Sequence, residues 1–148
     1  MHRDPNVVEV LLVEDSPSDA RLTQEAFRDG KIRNNLNIVS DGVEAMAFLK
    51  KQGAYANAPR PHLVLLDLNL PRMDGREVLK RIKTDPGLRS IPVVVLTTSE
   101  AETDVAAAYE YHANCYIQKP VDLHSFLKIV AAIEDFWLTV VKLPGGRE

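Results

Sequence analysis

The sequence predicts an α/β fold, a parallel sheet of five strands with helices on both faces. Three observations carry that prediction. Val7–Val13 and Leu63–Leu66 are short apolar runs with almost no polar alternation, the pattern of strands buried on both faces of a parallel sheet. Five strand-sized runs alternate with helix-sized stretches along the chain, which is how β-α units build such a sheet. The residues that follow the runs, Glu14-Asp15, Ser40, Asp67, Thr97 and Lys119, are polar and mostly chemically capable. Right-handed crossovers bring every strand's carboxyl end to one edge, where open α/β sheets keep their ligand sites.

Taken in order, VVEVLLV carries one charge, Glu9, and ends in Glu14-Asp15. Ser16 before Pro17 is a good helix start, a capping residue followed by proline at the first helical position. Ala20, Leu22, Ala26 and Phe27 give part of an apolar face, and Gly30 stops this helix. Leu36–Ser40 is a weaker strand. Asp41-Gly42 turns into a helix carrying Val43, Met46, Ala47, Phe48 and Leu49, closed by Gly53. A linker with Pro59 and Pro61 leads to the central strand, whose exit is marked by Pro71 and Asp74-Gly75.

Val78, Leu79 and Ile82 then share one helical face, ended by Asp85-Pro86-Gly87. Ile91-Pro92 opens the fourth run, VVVL, which delivers Thr97-Thr98-Ser99. An alanine-rich helix, a short strand over Cys115–Ile117, Gln118 and Lys119-Pro120 follow. A long helix from about Asp122 to Val141 precedes the tail.

A chain of 148 residues suits one domain with a single core. The net charge of −3 argues against a nucleic-acid surface, which needs a basic patch. The single cysteine, Cys115, excludes an internal disulfide and reads as a small core residue. The start of the chain lacks the apolar stretch of a signal peptide. The most apolar late stretch, Leu123–Val141, is broken by His124, Lys128, Glu134 and Asp135, which argues against a membrane span. The expectation is a cytoplasmic protein that engages neither nucleic acid nor membrane.

Taken alone, Asp67 reads as a solvated strand-end carboxylate; the other strand ends change that. Glu14, Asp15 and Asp67 converge at one edge, and three carboxylates in one place need a cation. Lys119 is one candidate. A divalent metal is the other, and hard oxygen ligands without histidine or cysteine suit Mg2+. Mg2+ binds through a few carboxylates together with a substrate phosphate. An aspartate can attack phosphorus to form an aspartyl-phosphate. Catalysis of phosphoryl transfer is mostly positioning and charge stabilisation. Metal, Lys119 and the Thr97 hydroxyl, each on one phosphoryl oxygen, would complete such a site.

VEDS at 13–16, LDLNLPRMDG at 66–75, VLTTS at 95–99 and YIQKP at 116–120 closely resemble the response-regulator receiver domain, over about residues 7–135. The resemblance implies the flavodoxin-like receiver topology: a doubly wound sheet of order 2-1-3-4-5, here with an extended C-terminal helix. It makes Asp67 the phospho-acceptor, with Glu14 and Asp15 organising the metal and Asn69 contributing its backbone carbonyl. Lys119 pairs with the phosphoryl group, its bond to Pro120 being cis in the family. Thr97 and Tyr116 match the switch positions that rearrange on phosphorylation. Tyr116 could instead simply pack, and Thr98 and Ser99 could simply cap the next helix. Glu14-Asp15 stands where many receivers carry two aspartates, which shifts metal affinity while leaving the charge count unchanged.

DGVEAMAFLKKQGAYANAPRP, LDLNLPRMDGREVLKRIK, IPVVVLTTS and the terminal FWLTVVKLP are similar to the small single-domain cyanobacterial regulators that partner phytochrome histidine kinases. That resemblance implies a phytochrome-type kinase as phosphodonor. The first helix, with Ser18, Arg21, Leu22 and Glu25 exposed, would by analogy carry part of its docking surface.

Residues 136–148 are expected to form a helical extension and tail with no output domain. On the final helix Phe126, Val130, Ile133 and Trp137 form one stripe, and Ile129, Ala132, Phe136 and Val140 a second. A helix on a sheet needs one such stripe. The spare stripe, with Trp137 or Phe136, suggests a homodimer face for which Phe136, Trp137, Ile129 and Val140 are the candidates; the alternative is an extension folded back over its own domain. The downstream partner is written in no motif, nor is the choice between a signalling role and a drain for phosphate.

An aspartate-nucleophile phosphohydrolase would need a second carboxylate two residues after Asp67, where this chain has Asn69. A flavin-binding module of the same topology would need a phosphate loop after the first strand, where the chain has the acidic Glu14-Asp15.

Overall fold

The computed structural model describes residues 7–29, 33–97, 113 and 115–118, with backbone alone at 29, 97 and 115–118. The elements are β1 (Val8–Val13), α1 (Pro17–Asp29), β2 (Asn34–Val39), α2 (Gly42–Leu49), a 3-10 turn (Gly53–Tyr55), β3 (Leu63–Asp67), α3 (Gly75–Thr84), β4 (Val93–Thr97) and β5 (Cys115–Gln118). The strands form one sheet of order β2-β1-β3-β4-β5. Every neighbouring pair is parallel, as the sequence predicts. The two late helices and the extension predicted beyond β4 and β5 lie outside the described residues.

All residues of β1 and β3 are buried, which explains their unbroken apolar sequence. Leu11, Val13, Val64 and Leu66 point into a core completed by Met46, Phe48 and Leu49 of α2 and Val78, Leu79 and Ile82 of α3. Each fully buried side chain of this size contributes roughly 1.5–3 kcal/mol. No described helix is long and apolar enough to cross a membrane.

Three local details depart from the sequence expectation. In α1 the buried residues are Ala20, Thr23, Ala26 and Phe27, while Leu22 is 44% exposed. Thr23 can be buried because its hydroxyl donates to the Asp19 carbonyl at 3.0 Å. In α2 the inward face uses Ala45, and Val43 is exposed.

The end of α2 is the third departure: the helix stops at Leu49, four residues before Gly53. Lys51 takes the left-handed conformation (φ 56) that closes it. Its N–H donates to the Phe48 carbonyl, and that of Gln52 to the Ala47 carbonyl, the paired bonds of a Schellman ending. Ser16 caps α1 as expected, its Oγ accepting from Asp19 N–H at 3.3 Å.

β2 is polar for a reason that lies across the sheet. Glu9 is buried in β1, and its carboxylate accepts from Asn35 Nδ2 at 3.0 Å and Asn37 Nδ2 at 3.2 Å. A buried charge needs such partners. On the other side, Glu9 N–H donates to His62 Nδ1 at 2.9 Å, so this ring is neutral with its proton on Nε2. Burial pulls the His62 pKa below 6.5; Arg60 adds to that and Glu9 opposes it.

The unfolded chain therefore binds more protons near pH 6, and this contribution to stability is lost as pH falls below 6.5. His62→Asn keeps an acceptor for Glu9 N–H and removes the titration. Its urea midpoint should fall less than that of the wild type between pH 7.5 and 5.5. Equal falls would contradict the assignment.

Candidate functional site

The strand registers build the site. Val13 pairs with both Val39 and Leu66, and Asp67 pairs with Leu96. The next residues, Glu14 and Asp15, therefore emerge beside Asp67. One carboxylate oxygen from each of Glu14, Asp15 and Asp67 lies within 4.8 Å of the other two. Glu14 is 2% exposed and Asp67 3%, while Asp15 faces solvent.

The cluster is held by local backbone bonds. Glu14 N–H donates to the Val39 carbonyl at 3.0 Å, and Glu14 Oε2 accepts from Ser16 N–H at 3.1 Å. Asp67 Oδ1 accepts from Asn69 N–H at 3.0 Å, which fixes the rotation of the carboxylate and sets Asn69 against the cluster. Behind it, Gly75 N–H donates to the Leu68 carbonyl at 2.9 Å. There is no space for a side chain at that position: a Cβ on Gly75 would stand 2.2 Å from the Asp67 carbonyl oxygen.

Two carboxylates this close and this shielded repel by roughly 3–4 kcal/mol at an effective dielectric constant of about 20. Exposed Asp15 adds less. Among the described residues this is the one group of three or more acidic, histidine or cysteine side chains able to share an ion. Its donors are all carboxylate oxygens, the set preferred by Mg2+, Mn2+ and Ca2+. The residues fit a hard divalent cation.

Of the other sequence-derived positions, Thr97 ends β4 one residue past the partner of Asp67 and pairs with Gln118, and Tyr116 pairs with Val95. Thr97 thus lies on the strand next to Asp67, and Tyr116 on the strand beyond it. Lys119, Pro120, Ile129, Phe136, Trp137 and Val140 lie outside the described residues, as do the side chains of Thr97 and Tyr116.

Sequence reasoning missed Asp41 and Arg72. Asp41 is a buried cap of α2 whose Oδ1 accepts from Glu44 N–H at 2.8 Å, and its Oδ2 meets Arg72 Nη1 at 3.2 Å. An aspartate followed three positions later by glutamate resembles a capping box, a signal that would have identified the cap though not the arginine.

Comparison with known proteins agrees with this geometry. The response regulator receiver domain family matches residues 10–131. The chain is a response regulator receiver. It is similar to response regulator Rcp1 of Synechocystis sp., with 57% identity over 137 residues covering 93% of each chain. The crystal structure of the Mn(2+)-bound form of Rcp1 superimposes with a TM-score of 0.78 at 56% identity, over 93% of this receiver and 99% of that chain. The phosphorylated cyanobacterial phytochrome response regulator RcpA gives a TM-score of 0.79 at 51% identity, with the same coverage. The receiver thus belongs to two-component phosphorelay signalling, and its relatives include the cyanobacterial phytochrome regulators that its sequence resembles.

Proposed function

We propose that this receiver takes a phosphoryl group onto Asp67 from a phosphohistidine of a phytochrome-type histidine kinase, with Mg2+ as its cation. The observation that carries the proposal is the shielded Asp67 carboxylate, held by Asn69 N–H among the oxygens of Glu14 and Asp15 at the carboxyl edge of the sheet. An Asp67 oxygen attacks phosphorus, the P–N bond breaks, and its electron pair returns to the imidazole, which leaves neutral after taking up a proton. A bound divalent cation supplies the positive charge that lets an anionic phosphoryl group approach three carboxylates.

Glu14, Asp15, Asp67 and the Asn69 carbonyl are the proposed ligands. Lys119 and the Thr97 hydroxyl would hold the remaining phosphoryl oxygens, and Thr97 with Tyr116 would convert the new charge into a repacked surface. The assignments draw support from the Mn(2+)-bound state of Rcp1 and the phosphorylated state of RcpA. Residues 7–135 would act as the receiver in the cytoplasm, and 136–148 as an extension. The helix face with Ile129, Phe136, Trp137 and Val140 would join two copies, with phosphorylation altering that assembly. A Phe136→Ala, Trp137→Ala variant that remains dimeric would rule out this interface.

Asp15→Asn tests the site. Metal-free, the variant should melt above the metal-free wild type, because one repelling charge is gone. Mg2+ should raise the melting temperature of the wild type and leave that of the variant nearly unchanged. Labelling by acetyl phosphate should fall by at least the ~10–100-fold that outer-shell substitutions cost a metal site. Equal labelling of the two proteins in Mg2+, or undiminished labelling of the wild type in chelator, would refute the reading.

A further inference from the structure

Two loops meet beside the acidic cluster without slack. One joins β2 to α2 and the other joins β3 to α3. Asp41, in the first, pairs with Arg72, in the second, at 3.2 Å. Next to that pair, a Cβ placed on Gly42 would stand 2.2 Å from the Met73 carbonyl oxygen and 2.9 Å from Val78 Cγ2. Each loop is also tied to the cluster by its other end. Glu14 N–H bonds the carbonyl of Val39, two residues before Asp41. The second loop starts at Asp67 itself, and Asn69 N–H bonds its carboxylate.

Arg72 has a left-handed backbone (φ 67), with Met73 N–H donating to the Pro71 carbonyl at 2.7 Å. This i→i+2 bond around a positive φ is the less common, strained form of γ-turn, and a non-glycine residue persists there only when its surroundings hold it.

The geometry points to Arg72 and Asp41 as positioning residues for the metal and phosphoryl site. Their ion pair straps the β3–α3 loop to the start of α2 and so fixes the Asp67–Asn69 segment at the spacing the cation requires. The inference rests on the proposed function of that cluster. Fold stability gives the pair little other purpose. The Arg72 side chain is 60% exposed and that of Asp41 7%, and a pair with one partner in water adds little. The cap that Asp41 provides uses Oδ1 and does not involve Arg72.

A purely electrostatic role and a positioning role predict opposite signs for one variant. If charge alone mattered, Arg72→Ala would remove a nearby positive charge and raise cation affinity, whereas Asp41→Asn would lower it. Positioning predicts that both lower it, because both release the loop. Asp41→Asn keeps a side-chain oxygen for Glu44 N–H, so α2 stays capped.

The experiment measures Mg2+ affinity by calorimetry, labelling rate with acetyl phosphate, and urea midpoint for the full chain, Arg72→Ala, Arg72→Lys, Asp41→Asn and the double variant. The expected result is a loss of roughly tenfold in Mg2+ affinity for each single alanine or asparagine variant, the low end of what supporting groups cost a metal site. The labelling rate should fall in parallel and the urea midpoints should stay near that of the wild type. Arg72→Lys should recover most of the loss, and the double variant should be no worse than either single one, as coupled residues require. Unchanged or raised affinity in Arg72→Ala, or additive losses in the double variant, would overturn the inference while leaving the proposed function standing. A wild type that neither binds Mg2+ nor is labelled would overturn both.

Discussion

Asp67→Asn is expected to abolish phosphoryl acceptance from a histidine kinase, lowering the transfer rate by at least about three orders of magnitude, as removal of a covalent nucleophile does elsewhere. The amide that replaces the carboxylate is a poor nucleophile toward phosphorus. The substitution also removes one of the three negative charges offered to the cation. The fold should be preserved, because Asn Oδ1 can still accept from Asn69 N–H and the register of β3 between β1 and β4 does not depend on the charge. Loss of one of two shielded, mutually repelling carboxylates should leave the metal-free variant at least as stable as the wild type. Labelled kinase mixed with each protein gives the comparison directly. A variant that still drains the kinase would place the acceptor elsewhere.

Gly75→Ala is expected to damage both stability and the site. The added Cβ would stand 2.2 Å from the Asp67 carbonyl oxygen, 2.5 Å from Leu68 Cα and 2.8 Å from the Leu68 carbonyl oxygen. All three are backbone atoms, so relief requires α3 to move off β3 or the chain at Asp67 to twist. Overpacking of this kind costs typically 1–3 kcal/mol or more. The strain falls on the strand end that presents the acceptor, so the thermal shift produced by Mg2+ should shrink as well. Gly87→Ala is the control: its added Cβ would meet only the Asp85 side-chain oxygen at 3.3 Å, and its effect should stay within about 0.5 kcal/mol. Similar losses in the two variants would contradict the contact geometry.

The parts of the fold that the sequence revealed are those where one physical cause dominates. β1 and β3 are buried on both faces, so their sequences are apolar runs and their carboxyl ends can be found by eye. Parallel connection then places Glu14, Asp15 and Asp67 together, and the structure does bring their oxygens within 4.8 Å.

β2 was legible only in part, because its asparagines serve a buried glutamate in the neighbouring strand, a purpose that no local pattern encodes. The closing of α2 was misplaced because a lysine, Lys51, fills a left-handed position where glycine is the usual signal. Leu22, expected on the inward face of α1, is exposed because an isolated apolar residue on the surface is tolerated, and Thr23 is buried because its hydroxyl is satisfied. The Asp41–Arg72 strap joins loops 31 positions apart, and in a single sequence nothing marks such a pair.

The central claim is that a cation shared by three carboxylates makes Asp67 the phosphoryl acceptor. The most direct test is to treat the wild type with acetyl phosphate in Mg2+ and in chelator, reduce the product with borohydride, and map the modified residue by mass spectrometry. The account predicts one phosphoryl group per chain, trapped at Asp67, formed in Mg2+ and absent in chelator. Modification at another residue, or equal modification of Asp67 without a divalent cation, would contradict it.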